Sequence, residues 1–317
     1  MGLFLMVLLA GNVAAQRQKV ILDCDLGGDI DDAFALALLI SSQNELEILG
    51  IVMDHGDTPG RAKIACRMLY ETGLEHIPVY VGRHTPGIVG TDTALAGPSR
   101  QFLWAENFNE LKPQAEAAAE FIVHALNTYP GEIILFTTGP VPNISDVLER
   151  DPLALTKAKK VVSMFGSFHT GYGGGEISRE WNVMADVEAS RKMISAGAEL
   201  YLAGLDITDH VILTDENIRM LMMRQSPLTN ALTALYSLWY KHADWAVTPK
   251  MFDAVAVGMV LWPELYETRE AFIYVNDEGY TLIDENRSPN CHIGISIDKD
   301  EFLERMVNSL LEQNFER

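Results

Sequence analysis

The chain has only three cysteines in 317 residues, Cys24, Cys66 and Cys291, and they stand far apart. No CxxC pair and no Cys/His cluster with zinc spacing occurs, so a zinc-stapled or disulfide-stapled scaffold is excluded. At most one disulfide can form, and the fold must rest on its apolar core. Cys24, inside an apolar run, reads as a small buried residue. Positive charge is also scarce: 24 Lys+Arg face 44 Asp+Glu, a formal net charge of −20. That surplus repels phosphate backbones and anionic lipid heads, which argues against nucleic acid and acidic membrane surfaces as partners. No segment approaches the ~18 consecutive apolar residues of a membrane-spanning helix. No repeat, low-complexity tract or Pro/Ser-rich linker marks a boundary, so one domain is the simpler organisation. With 48% hydrophobic and 21% charged residues, the chain can bury a sizeable core.

The first fifteen residues carry no charged side chain. Leu3 to Ala10 is a short apolar run, and Val13-Ala14-Ala15 places small residues before Gln16. This pattern predicts a signal peptide over residues 1–15, a mature domain over 16–317, and a secreted or periplasmic location. The segment lacks the usual Lys or Arg, and the alternative is a misassigned start codon and a cytoplasmic protein.

Along the chain, short β-branched runs alternate with helical patterns. Strands are expected at Lys19 to Leu22, Leu46 to Met53, Pro78 to Val81, Glu132 to Phe136, Lys160 to Met164 and Leu200 to Ala203. Helices are expected at Asp32 to Ile40, Thr58 to Tyr70, Gln114 to Asn127, Asn143 to Arg150 and Val187 to Ala196. Further helices follow near Asp215 to Met223, Leu228 to Lys241 and Phe252 to Leu261. The alternation predicts a single-domain α/β fold, a mostly parallel open sheet flanked by helices. Ligands of such sheets bind beyond the carboxyl ends of the strands. Residues 82–112, 165–184 and 242–251 form long connections, where function concentrates.

Asp23-Cys24-Asp25-Leu26-Gly27-Gly28-Asp29-Ile30-Asp31-Asp32 holds five aspartates in ten residues, with no lysine or arginine among them. Like charges at this density raise the free energy of a single turn unless something offsets them. A helix N-terminus offsets part, and Asp31 or Asp32 as its N-cap accounts for one or two. A hard divalent cation accounts for the rest, since Ca²⁺ and Mg²⁺ take oxygen ligands and no soft ligand lies nearby. The segment follows a strand and has no glutamate at the twelfth position, so it is not an EF-hand. It also lacks the phosphate-cradling GxxxxGK[ST] pattern.

ILDCDLGGDIDDAFAL resembles the amino-terminal signature of the inosine–uridine-preferring nucleoside hydrolases, in the variant form DxDxGxDxDDxxAL. Further likenesses follow in order: Phe136 to Ile144 (FTTGPVPNI), Glu180-Trp181-Asn182 with Asp186, Gly204 to Thr208 (GLDIT) and Phe252 to Val257 (FDAVAV). The resemblance spans about residues 19–310. It implies the Rossmann-like fold of that family, hydrolysis of the N-glycosidic bond of a ribonucleoside to ribose and free base, and a tightly held Ca²⁺. It also implies a small-molecule partner and a homo-oligomer.

By the same resemblance, Asp25 would be a calcium ligand and the base that deprotonates the attacking water. Asp32 and Asp253 would bind the ion, and Thr138 would offer its backbone carbonyl. Asp31 would bind the ribose 2′-hydroxyl, with Asp29 as the alternative because the motif is two residues longer than the short form. Glu180 and Asn182 would hold the other ribose hydroxyls, and Asp23 would orient the turn.

This chain departs from the family at several places. Many members carry a histidine before the late aspartate, placed to protonate the departing base; here the residue is Phe252. It reads as core packing or as an aromatic wall beside the base. Purines, whose N7 accepts a proton from solvent, need that histidine less than pyrimidines do, which favours purine nucleosides. Asp57 stands where relatives often have asparagine, and Gly174 where some place a ribose-binding asparagine, within the run Gly171 to Gly175. His55 and His169 lie in loops that follow strands. Trp245 is the expected base-stacking residue, whereas Trp239 and Tyr240 are expected to pack a helix.

Two other readings stay open. A strand ending in DxD also begins Mg²⁺-dependent phosphohydrolases that form an aspartyl-phosphate, with Asp23 as nucleophile and Asp25 as acid/base. A non-catalytic nucleoside- or ribose-binding protein is the other.

Overall fold

The computed structural model describes residues 16–240 and 248–316. The expected signal segment and Trp245 lie outside the described residues. Ten strands are present among the described residues: β1 (Gln18–Cys24), β2 (Leu46–Met53), β3 (Val79–Val81), β4 (Ile133–Thr137), β5 (Lys160–Met164), β6 (Leu200–Ala203), β7 (Tyr266–Ala271), β8 (Ile273–Val275), β9 (Thr281–Ile283) and β10 (Cys291–Ile297). Eight form one sheet in the order β3-β2-β1-β4-β5-β6-β10-β7; β8 and β9 make a separate antiparallel pair. All neighbours in the large sheet run parallel except β7, which closes the edge antiparallel to β10. The expected open, mostly parallel α/β sheet is therefore what the chain forms.

β1 is central because both its neighbours are parallel and both its faces are covered. Val20, Ile21, Leu22 and Cys24 are fully buried, as a near-continuous apolar strand requires. The helix Asp31–Ser41 follows at once, and every residue from Asp31 to Ile40 is buried. Its sequence, DDAFALALLIS, has no polar stripe after the first two residues, so it can only sit in the interior. It packs against Phe252–Leu261, a second helix of the same kind (FDAVAVGMVL). At about 1.5–3 kcal/mol for each buried Leu, Ile or Phe, this contact contributes heavily to stability. Both helices carry their acidic residues only in the first turn. Their packing therefore brings Asp31, Asp32 and Asp253 together at the carboxyl end of the sheet.

The expected strands and helices recur with small boundary changes, except that the helix expected from Gln114 starts at Ala118. Residues just before it bridge instead to the sheet edge, where Gln114 donates to the Val79 carbonyl and Ala117 pairs with Val81. The C-terminal strands and the helix Lys299–Glu312 had no counterpart in the sequence reading. β7 shows why: four of its six residues, Glu267 to Glu270, are exposed, so the edge strand carries charges instead of an apolar alternation. All three cysteines are free and buried.

Candidate active site

The acidic turn leaves the end of β1 and passes through Gly27, whose φ of +100° a side chain would strain. It enters the central helix at Ile30. Ile30 is the N-cap, and no side chain caps that helix end. Neither Asp31 nor Asp32 therefore serves as its cap. Both are helical, both are buried, and Asp253 is buried opposite them. One carboxylate oxygen from each of Asp31, Asp32 and Asp253 lies within 4.8 Å of the other two. The backbone N–H of Asp253 donates to Asp31 Oδ2 at 3.2 Å, and Asp32 Oδ1 has no hydrogen-bond partner. Burial and the neighbouring carboxylates push all three acids well above the ordinary carboxylate range. Three packed, partly unsatisfied carboxylates with only oxygen donors fit a hard divalent cation.

The trio contains Asp31, expected at the ribose, and not Asp25, expected at the ion. Asp25 lies beside it and pairs with Arg61, Nη2 to Oδ2 at 3.4 Å. Arg61 is itself buried. Its Nη1 donates to the Leu26 carbonyl at 3.0 Å, and its Nε to the His55 carbonyl at 2.8 Å. The counter-charge that the acidic turn lacks locally thus comes from the helix Thr58–Glu71. Nothing in the sequence singled out Arg61, because the pairing spans 36 residues of chain.

Asp23 is fully buried behind the turn and accepts from Asn143 Nδ2 at 2.8 Å; burial raises its pKa to about 8. It does not line the cavity described below. The phosphoryl-transfer reading needs Asp23 as an accessible nucleophile, and its placement removes that reading. Asp54, at the end of β2, is buried with both carboxylate oxygens unpartnered, and the sequence reading did not anticipate it.

A cavity of about 850 Å³ opens above the trio. Asp25, Asp29, Asp31, Asp32, Asp57, Thr138, Glu180, Asn182, Phe252 and Asp253 all line it, so every expected site residue within the described segments faces one space. Glu180 caps the short helix Trp181–Ala185, accepting from Asn182 N at 2.8 Å, Val183 N at 3.2 Å and Gly166 N at 3.1 Å. Burial still outweighs those donors and lifts its pKa to about 7. Asn182 Nδ2 donates to the Thr138 carbonyl at 3.2 Å and the Met164 carbonyl at 3.1 Å, tying the ends of β4 and β5 together. Asp57 is the N-cap of the helix that carries Arg61, accepting from Gly60 N, and also borders the cavity. Asp29 accepts from Ile30 N at 2.6 Å; burial raises its pKa to about 6.

Phe252 faces the cavity, its ring edge-on to Tyr172 with centroids 6.3 Å apart and Lys250 Nζ 5.7 Å from its centre. Phe252 also packs against the main hydrophobic core, so it serves both the core and the cavity wall. Trp239, expected to pack a helix, reaches the cavity as well, whereas Tyr240 lies exposed against Tyr236. His55 lines the cavity in a left-handed backbone conformation (φ 50°), and burial lowers its pKa to about 4. His169 is exposed near Arg269, and neither it nor Gly174 borders the cavity.

Known proteins share this architecture. A plant nucleoside hydrolase, the PpNRh1 enzyme, superposes with a TM-score of 0.81 at 22% identity, covering 94% of this chain and 100% of that one. A purine-preferring ribonucleoside hydrolase from Gardnerella vaginalis superposes with a TM-score of 0.79 at 20% identity, covering 93% and 98%. In sequence, the chain is 28% identical over 311 residues to the pyrimidine-specific ribonucleoside hydrolase RihB of Escherichia coli O157:H7, covering 90% of this chain and 95% of RihB. The sequence model of the inosine-uridine preferring nucleoside hydrolases matches residues 20–304, from the first strand into the C-terminal helix, and the chain belongs to that family.

Proposed function

We propose that the protein is a Ca²⁺-dependent ribonucleoside N-ribohydrolase that favours purine nucleosides. The carrying observation is the buried Asp31, Asp32 and Asp253 trio on the floor of a cavity whose walls hold Asp25, Glu180 and Asn182. Asp32 and Asp253 would hold the ion, with Asp31 beside them; Thr138 lines the same cavity, its carbonyl accepting from Asn182 Nδ2. A bound divalent cation supplies Lewis-acid polarisation and an anchor for the vicinal diol. The protein's own groups do the rest. Positive charge grows on the sugar as the C1′–N bond breaks, and the acidic floor stabilises it. Asp25, oriented by Arg61, takes the proton from the water whose oxygen bonds to C1′. A non-catalytic binding protein needs no such base, and a positioned Asp25 favours turnover.

Liquid chromatography of released base from a panel of nucleosides, with and without a chelator, tests the proposal directly. Chelator-sensitive release of base from ribonucleosides is expected. Absence of release from every nucleoside, with metal present, would sink it.

The base preference rests on Phe252, which cannot donate a proton. Inosine is expected to turn over faster than uridine. Phe252→His is expected to raise uridine turnover about tenfold more than inosine turnover, within the range of general acid catalysis. Parallel kcat measurements on both substrates check this, and unchanged relative rates would remove Phe252 from leaving-group chemistry.

We further propose export, from the uncharged apolar segment ahead of Gln16. Native protein should begin near Gln16 on N-terminal sequencing; recovery of Met1 would refute this.

A further inference from the structure

The glycine run Gly171 to Gly175 finds no use in the site so far, yet the loop around it is tightly built. Asp206 accepts from three consecutive backbone N–H groups, those of Phe168, His169 and Thr170, at 2.7–3.0 Å. Asp209 Oδ2 accepts from Gly173 N at 2.9 Å, while its Oδ1 pairs with Lys250 Nζ at 2.5 Å. Gly173 and Gly174 both adopt left-handed backbone, φ 70° and 73°, which side chains rarely tolerate. The loop therefore turns back on itself, with Gly174 N donating to the Gly171 carbonyl at 3.0 Å. One large side chain, Tyr172, projects from it into the cavity.

The Tyr172 ring stands edge-on to Phe252, and its hydroxyl oxygen accepts from Trp181 N at 3.0 Å. Among the described residues, the hydroxyl's own proton has no hydrogen-bond acceptor in the chain. Burial and the nearby carboxylates of Glu180, Asp31 and Asp209 hold the phenol well above its usual range, so it stays a donor. A donor with no internal acceptor, lining a ligand cavity, is a recognition element.

We infer that Tyr172 donates a hydrogen bond to the exocyclic 5′-hydroxyl of the sugar. The assignment rests on the proposed function above, and it follows from where the hydroxyls of ribose must lie. The vicinal diol is drawn to the acidic floor. The one remaining hydroxyl is the exocyclic group, which points away from that diol. Tyr172 is 44% exposed and lines the cavity with Glu180, its ring against Phe252. Its phenol meets the substrate there.

The test compares wild type with Tyr172→Phe, which keeps the ring against Phe252 and removes only the O–H. Four substrates and ligands are used on metal-loaded protein: inosine, 5′-deoxyinosine, and a C-linked ribonucleoside with its 5′-deoxy counterpart, whose C–C linkage cannot be hydrolysed. The variant is expected to lose about tenfold in kcat/KM for inosine and in Kd for the C-nucleoside, the usual yield of one neutral hydrogen bond. For both 5′-deoxy compounds, variant and wild type should agree within about twofold. Equal losses on both members of a pair would make Tyr172 a packing residue and overturn the assignment. No loss on either would overturn it too. Wild-type protein that neither cleaves nor binds any of the four would bring down the proposed function, and this assignment with it.

Discussion

Asp253→Asn is expected to lower hydrolysis by about 10³-fold, roughly 4 kcal/mol of barrier, and to abolish metal retention. The substitution keeps the shape of the side chain and removes one of the three acidic oxygen ligands of the cluster. The same change has an opposite effect on the metal-free fold. Three carboxylates buried within 4.8 Å of one another repel, and the first-turn positions at two helix N-termini offset only part of that. Relieving one charge should therefore raise the melting temperature of chelator-treated protein, at about 1.5 °C per kcal/mol for a chain of this size. In wild type, added Ca²⁺ should raise the melting temperature strongly, and in the variant hardly at all. Calorimetry of both proteins with Ca²⁺ and with chelator measures all four quantities. A wild type whose melting is indifferent to every divalent cation would mean that the trio holds no metal.

The second large effect concerns the sugar. Inosine is expected to exceed 2′-deoxyinosine by about 10⁴-fold in kcat/KM, because a site built to hydrogen-bond a hydroxyl rejects the analogue without it. In this site the penalty has a specific origin. Asp31 is buried and lines the cavity, so with Asp31 as the proposed partner of the 2′-hydroxyl, its absence would leave a desolvated carboxylate without its ligand. Asp31→Ala should shrink the ratio to about tenfold by damaging the ribonucleoside reaction far more than the deoxy one. If Asp29→Ala shrinks it instead, the longer turn places the recognition two residues earlier. Steady-state kinetics on the two nucleosides with the three proteins separates these outcomes.

The sheet was legible because its parallel strands are buried on both faces and read as apolar runs. β5 and β6 and the Phe252–Leu261 helix match their expected limits. The region after Leu261 was not legible, since its edge strand spends its side chains on solvent. In the site, residues that share a motif were found together: Asp25 with Asp31 and Asp32, Glu180 with Asn182. Partners contributed by distant chain were not. Arg61 looks like any surface arginine in a helix until its helix docks on the acidic turn. Tyr172 lies in a glycine-rich loop, which Asp206 and Asp209 hold in place from a segment more than thirty residues away. Hydrogen bonds between a carboxylate and backbone N–H groups leave no trace in composition or periodicity.

The contact between Asp253 N and Asp31 spans 222 residues. During synthesis the central strand and its helix leave the ribosome early, with the acidic turn exposed and no counterpart for most of the chain. β4, one of β1's two neighbours, follows about a hundred residues later, and Asp253 arrives only when four-fifths of the protein has been made. Closing so long a loop is slow, and topologies dominated by such pairings fold slowly. On the proposed function, the growing chain would stay inert towards nucleosides until the Phe252–Leu261 helix has emerged, with β7 to β10 and the last helix still to come. Until then the aspartates of the first turn face one another without the helix that completes their cluster.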